Sequence, residues 1–226
     1  MLRKRKGRLS FMKKMNVVFL GPPGAGKGTQ SVMVAEYFKM GYISTGNIMR
    51  AALKSGSELG NLAKGYIEKG ELVPDELVIR LIKEVLNLNP VENGYILDGF
   101  PRTIAQAEAL DNMGMNIDKV VFLDATQDTI LARMSGRRVC ESCGKSYHLI
   151  SKPPKVDGVC DKCSGTLIKR TDDNLETIIE RLKEYHKKTE PLRQFYIKKG
   201  KLEFVDGDGT IDEIQGKIID ALKEGK

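Results

Sequence analysis

A glycine-rich stretch near the start of the chain constrains its fold more than any other feature. Residues 21–29 read GPPGAGKGT and directly follow the apolar run Val17–Leu20. Glycines let backbone N–H groups close on phosphate oxygens, while Lys27 and the N-terminus of a following helix add positive charge. Such a loop requires a buried strand before it and a helix after it, here predicted over residues 29–39. The stretch therefore predicts a nucleotide-phosphate site, and a chance glycine-rich turn does not explain the order of these parts.

One position departs from the general phosphate-loop pattern G-x-x-x-x-G-K-[ST]. Gly28 stands where that pattern has a hydroxyl residue, and Thr29 comes one residue later. In the general pattern the hydroxyl group binds Mg²⁺. The sequence therefore leaves open how this chain would hold the ion.

Short apolar runs alternate with helical patterns along the chain. The runs are Val17–Leu20, 42–44, Tyr95–Asp98, Lys119–Asp124 and Leu202–Asp206. This alternation predicts one α/β domain whose parallel sheet is covered on both faces. Ligands of such sheets gather at the carboxyl ends of the strands. Lys27, Thr45, Asp98, Gly99 and Asp124 all fall near such ends.

Two stretches interrupt the alternation and are predicted to be insertions. We call residues 44–73 the helical segment and residues 136–173 the cysteine segment. The helical segment has little apolar material for a core of its own. The cysteine segment lacks periodicity, so it needs another source of stability. A charged helix is predicted from residue 174 to about residue 199, with a break or kink near Pro191.

The net charge of +7 is concentrated at the N-terminus. Seven basic residues and no acidic residue stand among the first fourteen positions, and the remainder carries 30 basic and 30 acidic residues. We interpret this tail as a disordered leader, or as the product of an upstream start with Met12 or Met15 as alternatives, in preference to an RNA-binding arm. The chain shows no apolar run long enough for a secretory signal or a membrane span. We therefore expect a cytoplasmic protein, in a compartment where paired thiols stay reduced.

The four cysteines form two C-x-x-C pairs separated by sixteen residues. They are Cys140, Cys143, Cys160 and Cys163. Each pair lets two thiolates face one ion, and four thiolates complete a closed tetrahedron with no position for water. This predicts a structural metal site, with zinc first and iron as an alternative. A disulfide pair is the main competing interpretation, and the reducing compartment disfavours it. A catalytic cysteine is disfavoured as well, because ligated thiolates are occupied.

Several motifs together resemble one family, the bacterial adenylate kinases with a zinc-bearing lid. They are GPPGAGKGT at 21–29, ISTGNIMR at 43–50, LDGFPRT at 97–103, GRR at 136–138, the two cysteine pairs, and RTDD at 170–173. The resemblance runs from about Met15 to the C-terminus. It implies a P-loop nucleoside monophosphate kinase fold with a five-stranded parallel sheet flanked by helices. It also implies a core of residues 15–43, 74–135 and 174–226, an AMP-binding helical insertion at 44–73, a zinc-binding lid at 136–173, and a basic tail at 1–14.

The resemblance also implies a set of site residues. Catalytic roles fall to Lys27, Arg102, Arg133, Arg137, Arg170 and Arg181. ATP would contact Gly24, Ala25, Gly26, Lys27, Gly28, Thr29, Arg133, Arg137, Ser146, Tyr147 and Gly209. AMP would contact Thr45, Arg50, Glu71, Leu72, Val73, Gly99, Phe100, Pro101, Arg102, Gln106, Arg170 and Arg181. Asp98 would orient Mg²⁺ through water, and Asp172 and Asp173 would either reach the ribose or pair with arginines.

The expected reaction is reversible phosphoryl transfer from MgATP to AMP, which gives two ADP. A phosphate monoester with a second pKa near ~6 is already largely deprotonated at neutral pH, so no general base is needed. This suits a chain with only two histidines, His148 and His186, which we expect to be structural or exposed. Arginines whose forked donors bridge oxygens, and a closure that excludes water, supply what the transfer needs. Arg80 and Arg193 are expected on solvated helix faces.

The resemblance further implies a monomer whose partners are ATP, AMP and ADP, with Mg²⁺ as cofactor and structural Zn²⁺, and with no nucleic acid or membrane partner. Three alternatives stay open at this point. The enzyme could use another donor such as GTP or another acceptor such as UMP or CMP. The chain could instead be a nucleic-acid-binding phosphate-loop protein with a zinc ribbon, or a purely structural zinc protein. Asn47 stands where the family usually has Asp, and we predict a small effect of this difference.

Overall fold

A parallel sheet of five strands forms the centre of the protein. The computed structural model describes residues 14–88 and 91–224. The strands of the central sheet are β1 (Val17–Leu20), β2 (Gly41–Ser44), β3 (Tyr95–Asp98), β4 (Lys119–Asp124) and β8 (Leu202–Asp206), in the spatial order β2-β3-β1-β4-β8. The remaining strands, β5 (Arg137–Cys140), β6 (Ser146–His148) and β7 (Leu167–Ile168), form a separate antiparallel sheet in the order β6-β5-β7. The five predicted strands and the predicted fold class are confirmed.

Helices cover both faces of the central sheet. They are α1 (Lys27–Phe38), α2 (Thr45–Ser55), α3 (Glu58–Lys69), α4 (Asp75–Leu88), α5 (Ile104–Asn112), α6 (Gln127–Ser135), α7 (Leu175–Glu184), α8 (Pro191–Lys198) and α9 (Ile211–Lys223). Side chains of β1 alternate between two cores: Val18 and Leu20 join one apolar cluster, whereas Val17 and Phe19 join the other. A strand that is buried on both faces needs apolar residues at every position, which explains its unbroken apolar run.

The strand register brings the carboxyl ends of the strands to one edge. Val18 of β1 pairs with Leu97 of β3 and with Val120 of β4, and Ser44 of β2 pairs with Asp98. The loops that leave these strands therefore start side by side, as expected for ligand sites of parallel sheets.

The charged helix predicted after residue 174 is broken, as expected. α7 ends at Glu184, a π-helical stretch covers Tyr185–Thr189, and α8 begins at Pro191. Proline suits the first position of a helix because no backbone N–H is needed there. Helix α1 begins at Lys27, two residues earlier than predicted, because Gly26 adopts the left-handed conformation that turns the loop into the helix.

The two interrupting segments differ in how they are stabilised. The helical segment carries α2 and α3, and its Met49 and Ala63 are buried in the same cluster as Val78 of α4. The cysteine segment carries the antiparallel sheet and has a small cluster of its own, formed by Cys140, Tyr147, Cys160 and the half-buried Leu167. The first segment thus borrows the main core, as its scarcity of apolar residues predicted, whereas the second depends on its cysteines.

The expectation that Arg193 lies on a solvated helix face is wrong. Its guanidinium carbon is 5.2 Å from the ring centre of Phe122 and 5.7 Å from that of Phe204. A cation packs well over such rings.

The basic tail falls on residues 1–14, of which 1–13 lie outside the described residues. Within the described residues, no helix is both long enough and apolar enough to cross a membrane.

Candidate active site

One large cavity opens at the carboxyl edge of the central sheet. Its volume is about 1090 Å³, and the phosphate loop, the helical segment and the cysteine segment all contribute to its wall. Its wall includes Gly24, Ala25, Gly26, Lys27, Gly28, Thr29, Thr45, Arg50, Glu71, Leu72, Val73, Asp98, Gly99, Pro101, Arg102, Gln106, Arg133, Arg137, Ser146, Tyr147, Arg170, Arg181 and Gly209. Of the residues predicted to contact nucleotides, Phe100 alone is absent from this wall, because its fully buried ring packs in the core beneath the loop.

The phosphate loop has the conformation that only glycine adopts easily. Gly21, Gly24 and Gly26 have φ values of 134°, 87° and 103°. A Cβ atom on Gly21 would lie 1.9 Å from the carbonyl oxygen of Leu123, so a side chain there is excluded. No described side chain caps the N-terminus of α1. The first turn of this helix therefore presents backbone N–H groups and the positive end of its dipole to the cavity.

Lys27 is half-buried at the base of the loop. Its Nζ donates to the carbonyl oxygens of Gly21, at 2.7 Å, and Pro22, at 2.8 Å. Burial lowers the pKa of Lys27 to about 7, Asp98 opposes this change, and Arg102 and Arg181 add to it. An anion in the cavity would supply the missing counter-charge and stabilise the protonated amine.

The carboxylate of Asp98 lies close to position 28. A Cβ atom on Gly28 would lie 3.2 Å from Oδ2 of Asp98, so a side chain there would require the carboxylate to shift by a few tenths of an ångström. That oxygen already accepts hydrogen bonds from the hydroxyl groups of Tyr42, at 3.0 Å, and Ser44, at 3.5 Å. A hydroxyl side chain at position 28 would crowd this carboxylate. The departure from the general pattern therefore accompanies a carboxylate held by the neighbouring strands.

The loop after β3 holds the arginine predicted to contact the acceptor phosphate. Gly99 has a φ of 82°, and a Cβ atom there would lie 2.7 Å from Thr45 Oγ1. The carbonyl oxygen of Gly99 accepts hydrogen bonds from Thr45 Oγ1, at 2.8 Å, and from Arg102 Nε, at 2.9 Å. Arg50 reaches the cavity from α2 and donates to Asn47 Oδ1 at 2.6 Å. Two arginines from different elements are thus aimed at one wall of the cavity.

Two adjacent carboxylates organise the arginines that follow the helical segment. Asp173 accepts from Arg137 Nε at 2.7 Å, and Asp172 accepts from Arg170 Nε at 2.7 Å. Arg181 lies between them, with Nη1 3.1 Å from Asp172 Oδ2 and 3.2 Å from Asp173 Oδ1. Of the two roles considered for these carboxylates, the structure shows pairing with arginines. Planar guanidinium forks held in this way keep fixed positions around the cavity.

The half-buried guanidinium groups repel one another. Burial, and after it the neighbouring charge of Arg170, lowers the pKa of Arg50 to about 9. Burial likewise lowers the pKa of Arg181 to about 10, with Asp172 acting against it. Burial would raise the pKa of Asp172, but Arg170 and Arg181 outweigh it and hold this pKa well below its ordinary range. A polyanion in the cavity would relieve the repulsion among these cations.

Arg133 binds backbone carbonyl groups rather than another side chain. Its Nη1 donates to Ala25 O at 2.9 Å, and its Nη2 donates to Gly207 O at 2.8 Å and to Gly209 O at 3.3 Å. It therefore fastens the phosphate loop to the loop after β8 while it lines the cavity. The sequence did not predict that Arg133 positions these two loops.

Gln106 is deeply buried at the cavity wall. It is 2% exposed, and its amide joins the loop before α5 to the start of α4. The sequence by itself would have placed an isolated glutamine at the surface.

The four cysteines converge at one point of the cysteine segment. All four Sγ atoms lie within 4.8 Å of one another, with Cys140 to Cys163 at 3.4 Å and Cys143 to Cys160 at 3.6 Å. All four thiols are free, so the competing disulfide interpretation is wrong for this structure. The hydroxyl group of Tyr147 lies 3.4 Å from Cys160 Sγ and accepts from Asp161 N at 2.8 Å. The predicted convergence of the four thiols is confirmed, and their arrangement could hold a metal ion.

The chain is similar to known proteins over most of its length. The family model described as adenylate kinase matches residues 19–201. The chain belongs to the adenylate kinase family. An adenylate kinase from Ruminiclostridium cellulolyticum is 47% identical over 212 residues, which cover 92% of this chain and 99% of the relative. An adenylate kinase from Acetivibrio thermocellus is 48% identical over 92% of this chain and 98% of the relative. One from Thermodesulfovibrio yellowstonii is 49% identical over 93% of this chain and all of the relative.

Membership of the adenylate kinase family makes the protein an enzyme, a kinase that binds nucleotides, and confirms the family inferred from the motifs.

Both histidines make hydrogen bonds that do not belong to a catalytic pair. His148 Nδ1 accepts from the backbone N–H groups of Ile150 and Ser151, both at 3.1 Å, and His186 pairs with Glu190 on the surface. The prediction that they are structural or exposed is confirmed.

Some residues of the site were not foreseen from the sequence. The hydroxyl group of Tyr42 and the carboxylate of Asp75 both hold site residues in place. Asp75 stands at the first position of a helix, where an acidic residue is explained by the helix dipole alone. No sequence pattern distinguishes that role from a contact with another element.

Proposed function

We propose that the protein catalyses the reversible transfer of the terminal phosphoryl group of MgATP to AMP, which gives two ADP. One observation carries this proposal: a single cavity is lined both by a phosphate loop with its lysine and by Arg50 and Arg102, which come from other elements. The first group suits the phosphates of a donor, and the second suits the phosphate of an acceptor. The names of the relatives support the same reaction.

The size of the cavity supports two nucleotides. At about 1090 Å³, it exceeds the ~300–1,000 Å³ that is usual for one drug-sized ligand. Two nucleotides bound end to end would bring a terminal phosphate of one against the phosphate of the other. The enzyme would then gain chiefly from positioning and from charge neutralisation.

The chemistry needs no general base from the protein. An AMP phosphate oxygen is already largely ionised at neutral pH, with a second pKa near ~6. Lys27 would stabilise the donor phosphates, Arg137, Arg170 and Arg181 would neutralise charge on the transferring group, and Arg50 and Arg102 would hold the acceptor phosphate. Cations gathered around a metaphosphate-like group are what phosphoryl transfer requires.

Asp98 is our candidate to orient Mg²⁺ through water. Its carboxylate stands beside Gly28 at the phosphate loop, and an oxygen ligand of this type suits the ion. When bound with ATP, Mg²⁺ neutralises charge on the phosphates. Tyr42 and Ser44 would fix the carboxylate for this role.

We propose that the four cysteines bind zinc. Tetrahedral Zn–S bonds of about 2.3 Å separate the sulfur atoms by roughly 3.8 Å, which suits the observed separations of 3.4 and 3.6 Å. The ion would order a segment with little apolar core and would take no part in transfer. We further propose that residues 44–73 bind AMP and that residues 136–173 form a lid. A monomeric state and a cytoplasmic location stay predictions.

A substrate panel tests the proposed function. We would follow ADP formation from MgATP with AMP, GMP, CMP or UMP as acceptor, and from MgGTP with AMP. We expect ADP formation that depends on AMP and strongly favours ATP, and a loss of at least about a hundredfold in kcat in Lys27→Met. Transfer to another monophosphate would overturn the acceptor assignment, and no transfer to any acceptor would overturn the proposed reaction.

A further inference from the structure

Asp75 links two elements at the acceptor side of the cavity. It is the first residue of α4, which begins directly after the helical segment. Its Oδ2 accepts from Thr103 Oγ1 at 2.8 Å, and its Oδ1 accepts from Gln106 Nε2 at 2.7 Å. Thr103 is itself the N-cap of α5, where its hydroxyl accepts from Gln106 N at 3.2 Å. One carboxylate thus fixes the start of α5 and the side chain of a cavity residue.

The amide of Gln106 is held in one orientation by two partners of opposite kind. Its Oε1 accepts from the backbone N–H of Arg102 at 2.7 Å, while its Nε2 donates to Asp75. A backbone N–H can only donate, and an ionised carboxylate can only accept. Rotation of the amide by half a turn would set N–H against N–H and oxygen against carboxylate. At 2% exposure, Gln106 has little water to compensate for such contacts.

The fixed amide offers a directional pattern to a ligand in the cavity. Among the described residues, one N–H of Nε2 and one lone pair of Oε1 have no hydrogen-bond partner, and Gln106 lines the cavity. A base that meets this amide must present an acceptor opposite Nε2 and a donor opposite Oε1. Adenine has such an edge, with N1 beside the 6-amino group. Hypoxanthine presents the reverse, with N1–H beside a 6-oxo group, although it has nearly the same size.

We propose that Asp75 is a specificity-determining positioning residue, which holds the amide of Gln106 so that the acceptor site favours AMP over a monophosphate with the reversed edge. This inference rests on the proposed function. A site built for one hydrogen-bond pattern leaves its buried polar groups unpaired when the pattern is wrong, and so rejects such a ligand.

Inosine monophosphate is the probe that isolates this effect, because it differs from AMP only at the edge in question. We would measure kcat and KM for AMP and for inosine monophosphate with saturating MgATP. In Asp75→Ala we expect the AMP KM to rise several-fold with kcat within about twofold, and the ratio of the two kcat/KM values to fall by at least about fivefold. Asp75→Asn should restore most of the ratio, because Oδ1 of Asn can accept from Gln106 while its amide nitrogen donates to Thr103.

Glu76 provides a matched control. It is the other acidic residue in the first turn of α4, and its side chain is exposed. Glu76→Ala removes the same helix-dipole interaction and should leave the nucleotide ratio unchanged. An equal fall of the ratio in both variants would overturn the inference, as would an AMP KM that rises in Asp75→Ala with an unchanged ratio.

Gln106→Ala tests the same inference without altering α4, in case Asp75→Ala does not fold. It must lower the ratio at least as much, and Asp75→Ala added to it must lower the ratio no further, because the inference has Asp75 set the ratio through this amide, whatever its bond to Thr103 does for stability. A further fall in the double variant would overturn the inference. Failure of this inference can be told apart from failure of the proposed function, because in the second case the unmodified protein would form no ADP from AMP.

Discussion

Lys54 of α2 contacts Glu141 of the cysteine segment. Its Nζ lies 3.2 Å from the carbonyl oxygen and 3.9 Å from Oε1 of Glu141. These residues are 87 positions apart, and they belong to the two insertions that we propose close over the nucleotides. The contact therefore ties the two segments together in the conformation of this structure.

Removal of this contact should weaken nucleotide binding without loss of stability. An exposed ion pair contributes ~0.2–1 kcal/mol, so we expect Lys54→Ala to raise both KM values by about two- to fivefold. Glu141→Ala should have a smaller effect because the carbonyl acceptor is retained. Lys64→Ala, which breaks an exposed pair with Glu68 inside α3, is the control and should change neither KM. Steady-state kinetics at low and high salt checks this, and an effect that persists at high salt would argue against an ion pair.

Binding of MgATP should take up a proton above neutral pH. The pKa of Lys27 is lowered by burial to about 7, so the free enzyme loses this charge as the pH rises through that value. Phosphates beside the amine stabilise its protonated form, and proton uptake should therefore grow between about pH 7 and pH 8.5. Titration calorimetry in two buffers of different ionisation enthalpy measures it. Lys27→Arg stays charged over this range and should lose the uptake, whereas a buffer-independent enthalpy for the unmodified protein would contradict the prediction.

The stability supplied by Asp172 should disappear in acid. Arg170 and Arg181 outweigh its burial and hold its pKa below the ordinary value of 3.8. Its contribution is therefore complete above about pH 4 and declines as the pH falls below that value toward the folded-state pKa. We expect Asp172→Asn to lower the free energy of unfolding by about 3 kcal/mol at neutral pH, as for a broken buried pair. Urea unfolding should show the difference between the two proteins narrowing below about pH 4, and a constant difference would count against this account.

Metal removal should affect stability more than chemistry. Chelation or Cys143→Ser should lower the Tm by roughly 5–10 °C, since each kcal/mol corresponds to ~2–4 °C at this chain length. The transfer rate well below that Tm should fall by less than about threefold, because we propose that the metal orders the segment and takes no part in transfer. Ser142→Ala, inside the same cysteine pair, is the control. Calorimetry, activity and elemental analysis together decide, and loss of activity with the segment still folded would refute the structural role.

Asn47→Asp should have a modest effect on AMP binding. Asn47 Oδ1 already accepts from Arg50 Nη2, so an aspartate would keep the acceptor but compete with phosphate for this guanidinium. We expect the AMP KM to rise by less than about tenfold, equivalent to roughly 1.4 kcal/mol, with the ATP KM unchanged. A larger rise in the AMP KM would show that the neutral side chain is essential.

Local patterns predicted those parts of the protein that depend on short-range physics. The apolar runs gave the strands β1, β3, β4 and β8 with their bounds. β1 and the interior of β4 are buried on both faces, which excludes polar residues there. The glycine loop and the two cysteine pairs were recognised because phosphate and metal ions demand particular spacings. The start of α1 was two residues off, since Gly26 closes the loop by a left-handed conformation that the sequence does not reveal.

Contacts between residues that are distant in the sequence were not predicted. Asp75 was not singled out from the sequence and Arg133 was expected only to contact ATP in a catalytic role, yet the first orients Gln106 and the second fastens two loops. Arg193 was expected in solvent and packs over two phenylalanine rings instead. Each of these roles depends on which element lies opposite, and no local pattern encodes that.

The sequence by itself thus determined the central sheet, the phosphate loop, the cysteine cluster and the family, because each is specified by the spacing of a few neighbouring residues. Only the tertiary structure decided that Asp172 and Asp173 pair with the arginines, that Asp98 occupies the space above Gly28, and that the amide of Gln106 has one orientation. Hydrogen bonds and charges act over a few ångströms, so their partners are chosen by packing rather than by position along the chain.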